Sequence, residues 1–257
     1  MYILHQEGSF FYCPFFTDLF IVYVSLGALF LLIWFVLLWE YFDKGKINDY
    51  QVFSNEIFST SAAYISTDRM FPFFVVIAFS VGFYYIFNDG NWNCLLRMGK
   101  EKYVFFESKK IVFYCAVIAL MYVGINYIGL LFMCDINMLK ECKFTLVNFL
   151  YFVTVFLYFL VCANLINFAK YVFSFNKVYF FVSLILIIFQ EGMYQIGLNK
   201  YSMISYFDYI DEWLYDFKFD WGTYVIHCVI SVLFAMAFVY GSVLIFKRRD
   251  LLTDEEA

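Results

Sequence analysis

Leu19-Phe-Ile-Val-Tyr-Val-Ser-Leu-Gly-Ala-Leu-Phe-Leu-Leu-Ile-Trp-Phe-Val-Leu-Leu-Trp39 runs without a single charged side chain, and this stretch decides the fold. At about 1.5 Å per residue, a helix of that length covers the roughly 30 Å hydrocarbon core of a bilayer. Runs of the same kind recur at 71–88, 111–134 and 144–169, again uncharged, and at 178–198 and 221–246, which carry only Glu191 and His227 as ionisable groups. Whatever crosses lipid must satisfy its own backbone hydrogen bonds, and no strand-like alternation points to a barrel. The expected architecture is an all-α integral membrane protein of six transmembrane helices forming a single domain over residues 1–257.

Composition agrees. Of 257 residues, 64% are hydrophobic and 15% charged, and the mean hydropathy is +0.76. The 37 Phe, 23 Tyr and 5 Trp are too many rings for one aqueous core of this size. A net charge of -5 argues against a nucleic-acid binder, and the apolar content argues against a disordered chain. The connections between runs are too short to hold a soluble catalytic domain.

No basic region precedes the first run, so 19–39 reads as a retained span rather than a signal peptide. Residues 1–18 mix Phe10, Phe11, Phe15 and Phe16 with His5, Glu7 and Pro14, which suits an interfacial elbow helix in the headgroup layer. The densest basic cluster, Arg97 to Lys110, and the tail Lys247-Arg248-Arg249 fall on one side of a six-span topology. Cytoplasmic loops are enriched in Lys and Arg, so both termini are expected in the cytoplasm. Lys44 and Lys46, directly after the first span, vote the other way.

Chemical motifs are scarce. There is no phosphate-binding loop, no metal-ligand spacing around His5 or His227, and no nucleophile elbow, so neither a catalytic residue nor a metal site is expected. The cysteines lie mostly in or beside spans, where they pack as small apolar residues. Cys134 and Cys142 alone bracket a short loop, and a disulfide between them remains the alternative to packing.

The loop 89–110 is the informative segment. It divides at Gly99 into two short amphipathic stretches, with Trp92, Leu95 and Leu96 on one face of the first and Tyr103 and Phe106 beside Lys102 and Lys109 on the second. Either it anchors an ordinary cytoplasmic loop or it presents charge to a cytosolic partner. Within the spans, Glu191 is the costliest residue and the first pathway candidate, with Gln190 and Gln195 nearby. Asn164 and Asn167 sit one turn apart and either line a pathway or hydrogen-bond between helices. Ala237 and Gly241, four apart, would let another helix approach, whether within the chain or in a second subunit.

An apolar second span (71–87), the turn Asp89-Gly90, the stretch Leu95-Leu96-Arg97, the basic group Lys100 to Lys102, then Tyr103 and Lys109, together resemble the membrane subunits of type-2 ATP-binding-cassette exporters of low-GC Gram-positive bacteria. The ending Phe246-Lys-Arg-Arg-Asp250 fits the same pattern, whereas the long first loop departs from it. The resemblance implies a permease in a bacterial cell membrane, paired with a second permease copy or paralogue and two separate ATPase subunits. It exports a hydrophobic or amphipathic substrate such as a peptide or bacteriocin, a drug or a lipid. ATP and Mg would bind in the partner ATPase and no cofactor in this chain. Trp92, Leu95, Leu96, Arg97, Lys100, Lys102 and Tyr103 would form a cytosolic coupling helix between spans two and three. The alternatives are a stand-alone channel or secondary transporter, which would need more buried ion-coupling groups, and a membrane assembly factor.

Overall fold

The computed structural model describes residues 14–42, 46–50, 53, 75–87, 95, 97–173, 185 and 219–248. Six helices are resolved in this part: α1 (Pro14–Phe42), α2 (Val76–Phe87), α3 (Lys100–Met133), the short α4 (Ile136–Glu141), α5 (Phe144–Phe173) and α6 (Trp221–Arg248). The stretch Phe20–Trp39 of α1, and α3, α5 and α6, are long and apolar enough to cross a membrane. The described part is therefore helical, with four helices of membrane-spanning length among the described residues, and α2 is a shorter apolar helix inside the expected second span. The expected fifth span, 178–198, lies outside the described residues except for Ile185.

Two expectations need correction. Residues 14–18, assigned to the elbow, are the opening of α1 itself; Pro14 suits a first helical position, where its missing N–H is not needed. Residues 1–13 lie outside the described part. The second half of the 89–110 loop is no separate helix, because α3 starts at Lys100 and continues without a break into the span. Nothing between Gly99 and the apolar run interrupts it: Glu, Lys, Phe and Tyr all sustain a helix there. At 34 residues α3 is about 50 Å long, well beyond the hydrocarbon thickness, so its charged first turns extend past the hydrocarbon layer.

The helices pack as an aromatic-rich bundle. α1 runs parallel to α3, with Tyr23 stacked near Tyr114, Phe30 edge-on to Tyr122, and the Trp34 indole donating to Asn126 Oδ1 at 3.2 Å. Gly129 leaves the space the Trp34 indole fills. α2 is locked in by Phe79, whose ring stacks on Phe159 of α5 at 4.4 Å and whose carbonyl accepts from the Tyr114 hydroxyl at 2.9 Å. α5 runs antiparallel to α3 and parallel to α6, meeting the latter at Thr154–Tyr224 near one end and Tyr171–Phe246 near the other.

At the end of the bundle where α3 finishes, Ile47 bridges to it through Ile47 N–H to Met133 O (2.9 Å) and Asp135 N–H to Ile47 O (3.0 Å). The Asp135 carboxylate then caps α4 by accepting from the Asn137 and Met138 amides. Cys134 and Cys142 are buried free thiols, so packing and not a disulfide accounts for them. Burial raises the Cys142 thiol above its ordinary value.

Candidate functional site

The opposite end of the bundle gathers the polar groups. It is built around Gly99, whose φ of 78° breaks the chain between a helical turn ending at Met98 and the start of α3. A side chain rarely adopts that conformation, and glycine does so freely. The Gly99 amide donates to Leu95 O at 2.9 Å and its carbonyl accepts from Tyr103 N at 3.0 Å, so both turns are hydrogen-bonded through the same residue.

One face of this knuckle is buried. Leu95, Tyr103 and Val104 form a small second core with Tyr171 of α5 and Val243 and Phe246 of α6. The Tyr171 and Phe246 rings lie 4.7 Å apart, with Tyr103 at 6.3 Å from Phe246. Behind them sits Glu107, only 4% exposed. An isolated carboxylate there would be costly, and three groups compensate it. The Tyr103 hydroxyl donates to Oε1 at 3.3 Å, the Tyr171 hydroxyl donates to Oε2, and Lys170 Nζ stands 3.5 Å from Oε1. Lys170 also donates to the Phe87 carbonyl at 2.8 Å, which satisfies the last turn of α2. One acid thus joins the ends of α2, α3 and α5.

The other face is open. Arg97, Met98, Glu101 and Lys102 are exposed and Lys100 is half-buried. Glu101 and Lys247 pair at 2.7 Å, tying the start of α3 to the end of α6. The Lys247 ammonium holds the Glu101 carboxyl below its usual range, and the carboxylate in turn raises Lys247.

The residues singled out from sequence therefore separate. Leu95 and Tyr103 are interior anchors, and Arg97, Lys100 and Lys102 lie on the projecting rim. Trp92 and Leu96, and the pathway candidates Gln190, Glu191 and Gln195, lie outside the described residues. Asn164 and Asn167 are buried on α5, and Asn164 Nδ2 bonds back to Leu160 O of its own helix at 2.7 Å. The oxygens Oδ1 of both have no donor among the described residues. Gly241 belongs to an intramolecular seam: a Cβ there would meet the Phe168 ring of α5 at 2.8 Å. Ala237 is exposed, and the residues of α6 that are buried are instead Tyr224, Ser231, Ala235, Ser242, Val243 and Phe246.

Glu107 and Tyr171 were not singled out from sequence, and Lys247 entered only as part of the basic tail. The i, i+4 pair Tyr103–Glu107 was a visible signal, but only the fold shows that the acid turns inward against Lys170. Among the described residues no group of His, Cys, Asp and Glu could hold a metal ion. No protein-family model matches the chain, and no significant match appears among curated proteins or solved structures.

Proposed function

We propose that the chain is the permease subunit of a type-2 ATP-binding-cassette exporter, with the Gly99 knuckle as the cytosolic element that a separate ATPase subunit pushes. The observation that carries this is mechanical. The exposed rim at Arg97, Lys100 and Lys102 is continuous with a buried face that Glu107, Tyr103 and Phe246 bind to α2, α5 and α6. α3 is one uninterrupted rod from that rim through the membrane. A displacement imposed on the rim reaches four helices as a rigid-body movement, because packed cores shift between discrete arrangements and do not deform smoothly.

Two features support the six-span topology within this reading. α5 and α6 run parallel, so Phe173 and Trp221 lie at opposite ends of the bundle, and the chain between them has to return across it. α1 starts, and α6 finishes, at the Gly99 end, which suits termini on one side, there taken as the cytoplasm. The assembly would hold a second permease copy or paralogue and two ATPase subunits that bind ATP and Mg. The substrate would be hydrophobic or amphipathic, carried outward across a bacterial cell membrane.

The test is charge reversal on the rim. Arg97→Glu, Lys100→Glu and Lys102→Glu together should weaken ATPase copurification by about tenfold or more, because reversing three charges opposes any partner surface complementary to a basic rim. The variant should retain the thermal stability of the parent, since these side chains lie outside the second core. Unchanged copurification and transport would overturn the proposal.

A further inference from the structure

At the end of the bundle opposite Gly99, the turn joining α4 to α5 borders an open cavity of about 410 Å³. Its walls are Tyr127 and Leu131 of α3, Ile136 and Lys140 of α4, Lys143 of the turn and Thr145 of α5. The adjoining helices are charge-free from Ile111 to Met133 and from Phe144 to Ala169, so this turn is where the chain leaves the hydrocarbon layer. The chemistry divides accordingly. Leu131 and Ile136 form an apolar side and are themselves partly exposed. Lys140 and Lys143 form a cationic side and have no ion-pair partner among the described residues. Asp135 and Glu141, the acids nearest in sequence, do not line the cavity.

Two details make this more than a pair of surface lysines. Lys143 is the single non-glycine residue of positive φ among those described, at 52°. Its amide closes α4 on Lys140 O at 3.1 Å, and its carbonyl opens α5 by accepting from Leu146 and Val147. Glycine or asparagine is the usual residue in this left-handed turn position, and a lysine is kept there against its backbone preference. Beside it, the Tyr127 and Thr145 hydroxyls lie 3.1 Å apart and share one hydrogen bond. Two hydroxyls carry two protons and both residues line the cavity, so one O–H remains available to another acceptor.

Two ammonium groups and a hydroxyl donor next to an apolar wall at the membrane boundary match a phosphate that carries acyl chains. We propose that this cavity binds the headgroup of an anionic phospholipid, with the phosphate between Lys140 and Lys143 and a chain lying along Leu131 and Ile136. The site is separate from the Gly99 end and does not depend on the exporter assignment.

The experiment uses the full chain in detergent, titrated with phosphatidylglycerol, phosphatidylcholine or inorganic phosphate, and reads bound lipid by native mass spectrometry alongside thermal stability. Phosphatidylglycerol should bind in preference to phosphatidylcholine. Lys140→Gln and Lys143→Gly should each weaken it about fivefold, the worth of one interfacial lysine. Lys143→Gly relieves the backbone, so its lipid-free stability should equal or exceed that of the parent, which separates loss of binding from loss of fold. Equal binding of the two lipids, or unchanged phosphatidylglycerol binding in both variants, would overturn the proposal. So would full displacement of the lipid by millimolar phosphate, which would mark a free-anion site.

Discussion

Removing the Glu107 carboxylate should loosen the Gly99 end more than any change on the rim. The side chain of Glu107 is 6% exposed and that of Lys170 is 23% exposed, so little water reaches the pair. Breaking a buried ion pair by deleting one partner costs about 3–5 kcal/mol. Lys170 keeps its bond to Phe87 O and some solvent contact, which places Glu107→Ala at the low end, about 3 kcal/mol. Glu107→Gln keeps an acceptor oxygen for one of the Tyr103 and Tyr171 hydroxyls, turns an amide donor toward the other, which can accept from it, and loses the charge, so about 2 kcal/mol is expected. For a chain of this size each kcal/mol moves the midpoint by roughly 2–4 °C, so Glu107→Gln should melt about 4–8 °C lower. Tryptophan-fluorescence melting of the detergent-solubilised protein reads this directly. In a double-mutant cycle, Lys170→Met should recover part of the loss in the Glu107→Gln background, since the two groups interact. A Glu107→Gln midpoint within about 1 °C of the parent would show that the acid does not hold the helix ends together.

Two glycines of α3 should respond with opposite sign. A Cβ at Gly129 runs into the Trp34 indole, so Gly129→Ala should destabilise by about 1–3 kcal/mol, whereas Gly124, with no atom of the described residues within 4 Å of the added methyl, should gain about 0.5–1 kcal/mol as alanine; melting midpoints of the two variants that move the same way would contradict the α1–α3 packing. The Glu101–Lys247 contact should be insensitive to pH across the neutral range. Its carboxyl contribution is present above the ordinary value of 4.5 and is lost as pH falls through the lowered folded value, and its ammonium contribution is present below 10.5 and lost as pH rises through the raised one. A carbon-13 titration of Glu101 should give a midpoint below 4.5 that returns upward in Lys247→Met; an identical midpoint in both would exclude the pair.

How much of this was legible in the sequence depends on what each feature needs. The apolar runs at 19–39, 111–134, 144–169 and 221–246 name their own helices, because length and absence of charge are sufficient in lipid. The break at Gly99 was legible for the same reason that glycine punctuates any helical pattern. What followed it was not: the alternation of Lys, Glu, Tyr and Phe from 100 to 110 looks amphipathic and self-contained, yet it is simply the overhang of a long helix. The expected end of the elbow at residue 18 shifts for a similar reason, since residues 14–18 already belong to α1, while residues 1–13 lie outside the described part. The polar hub was hidden for a different reason. Glu107 is far in the chain from the neighbours Lys170 and Tyr171, and each alone reads as an ordinary residue of a cytoplasmic loop or helix end. Only antiparallel packing of α3 on α5 turns them into one buried network. Ala237 and Gly241 show the limit of spacing arguments, because a helix pair four residues apart can straddle the edge of a contact stripe, with one inside and one out.

The central claim is that the Gly99 knuckle couples this chain to a separate ATPase. Affinity purification of the intact chain from its native membrane, with the copurifying subunits identified and counted by mass spectrometry, tests it most directly. The account predicts a phosphate-loop ATPase in equal number to the permease chains, lost when Arg97, Lys100 and Lys102 are reversed to glutamate. A stable, monodisperse chain with no nucleotide-binding partner would contradict it.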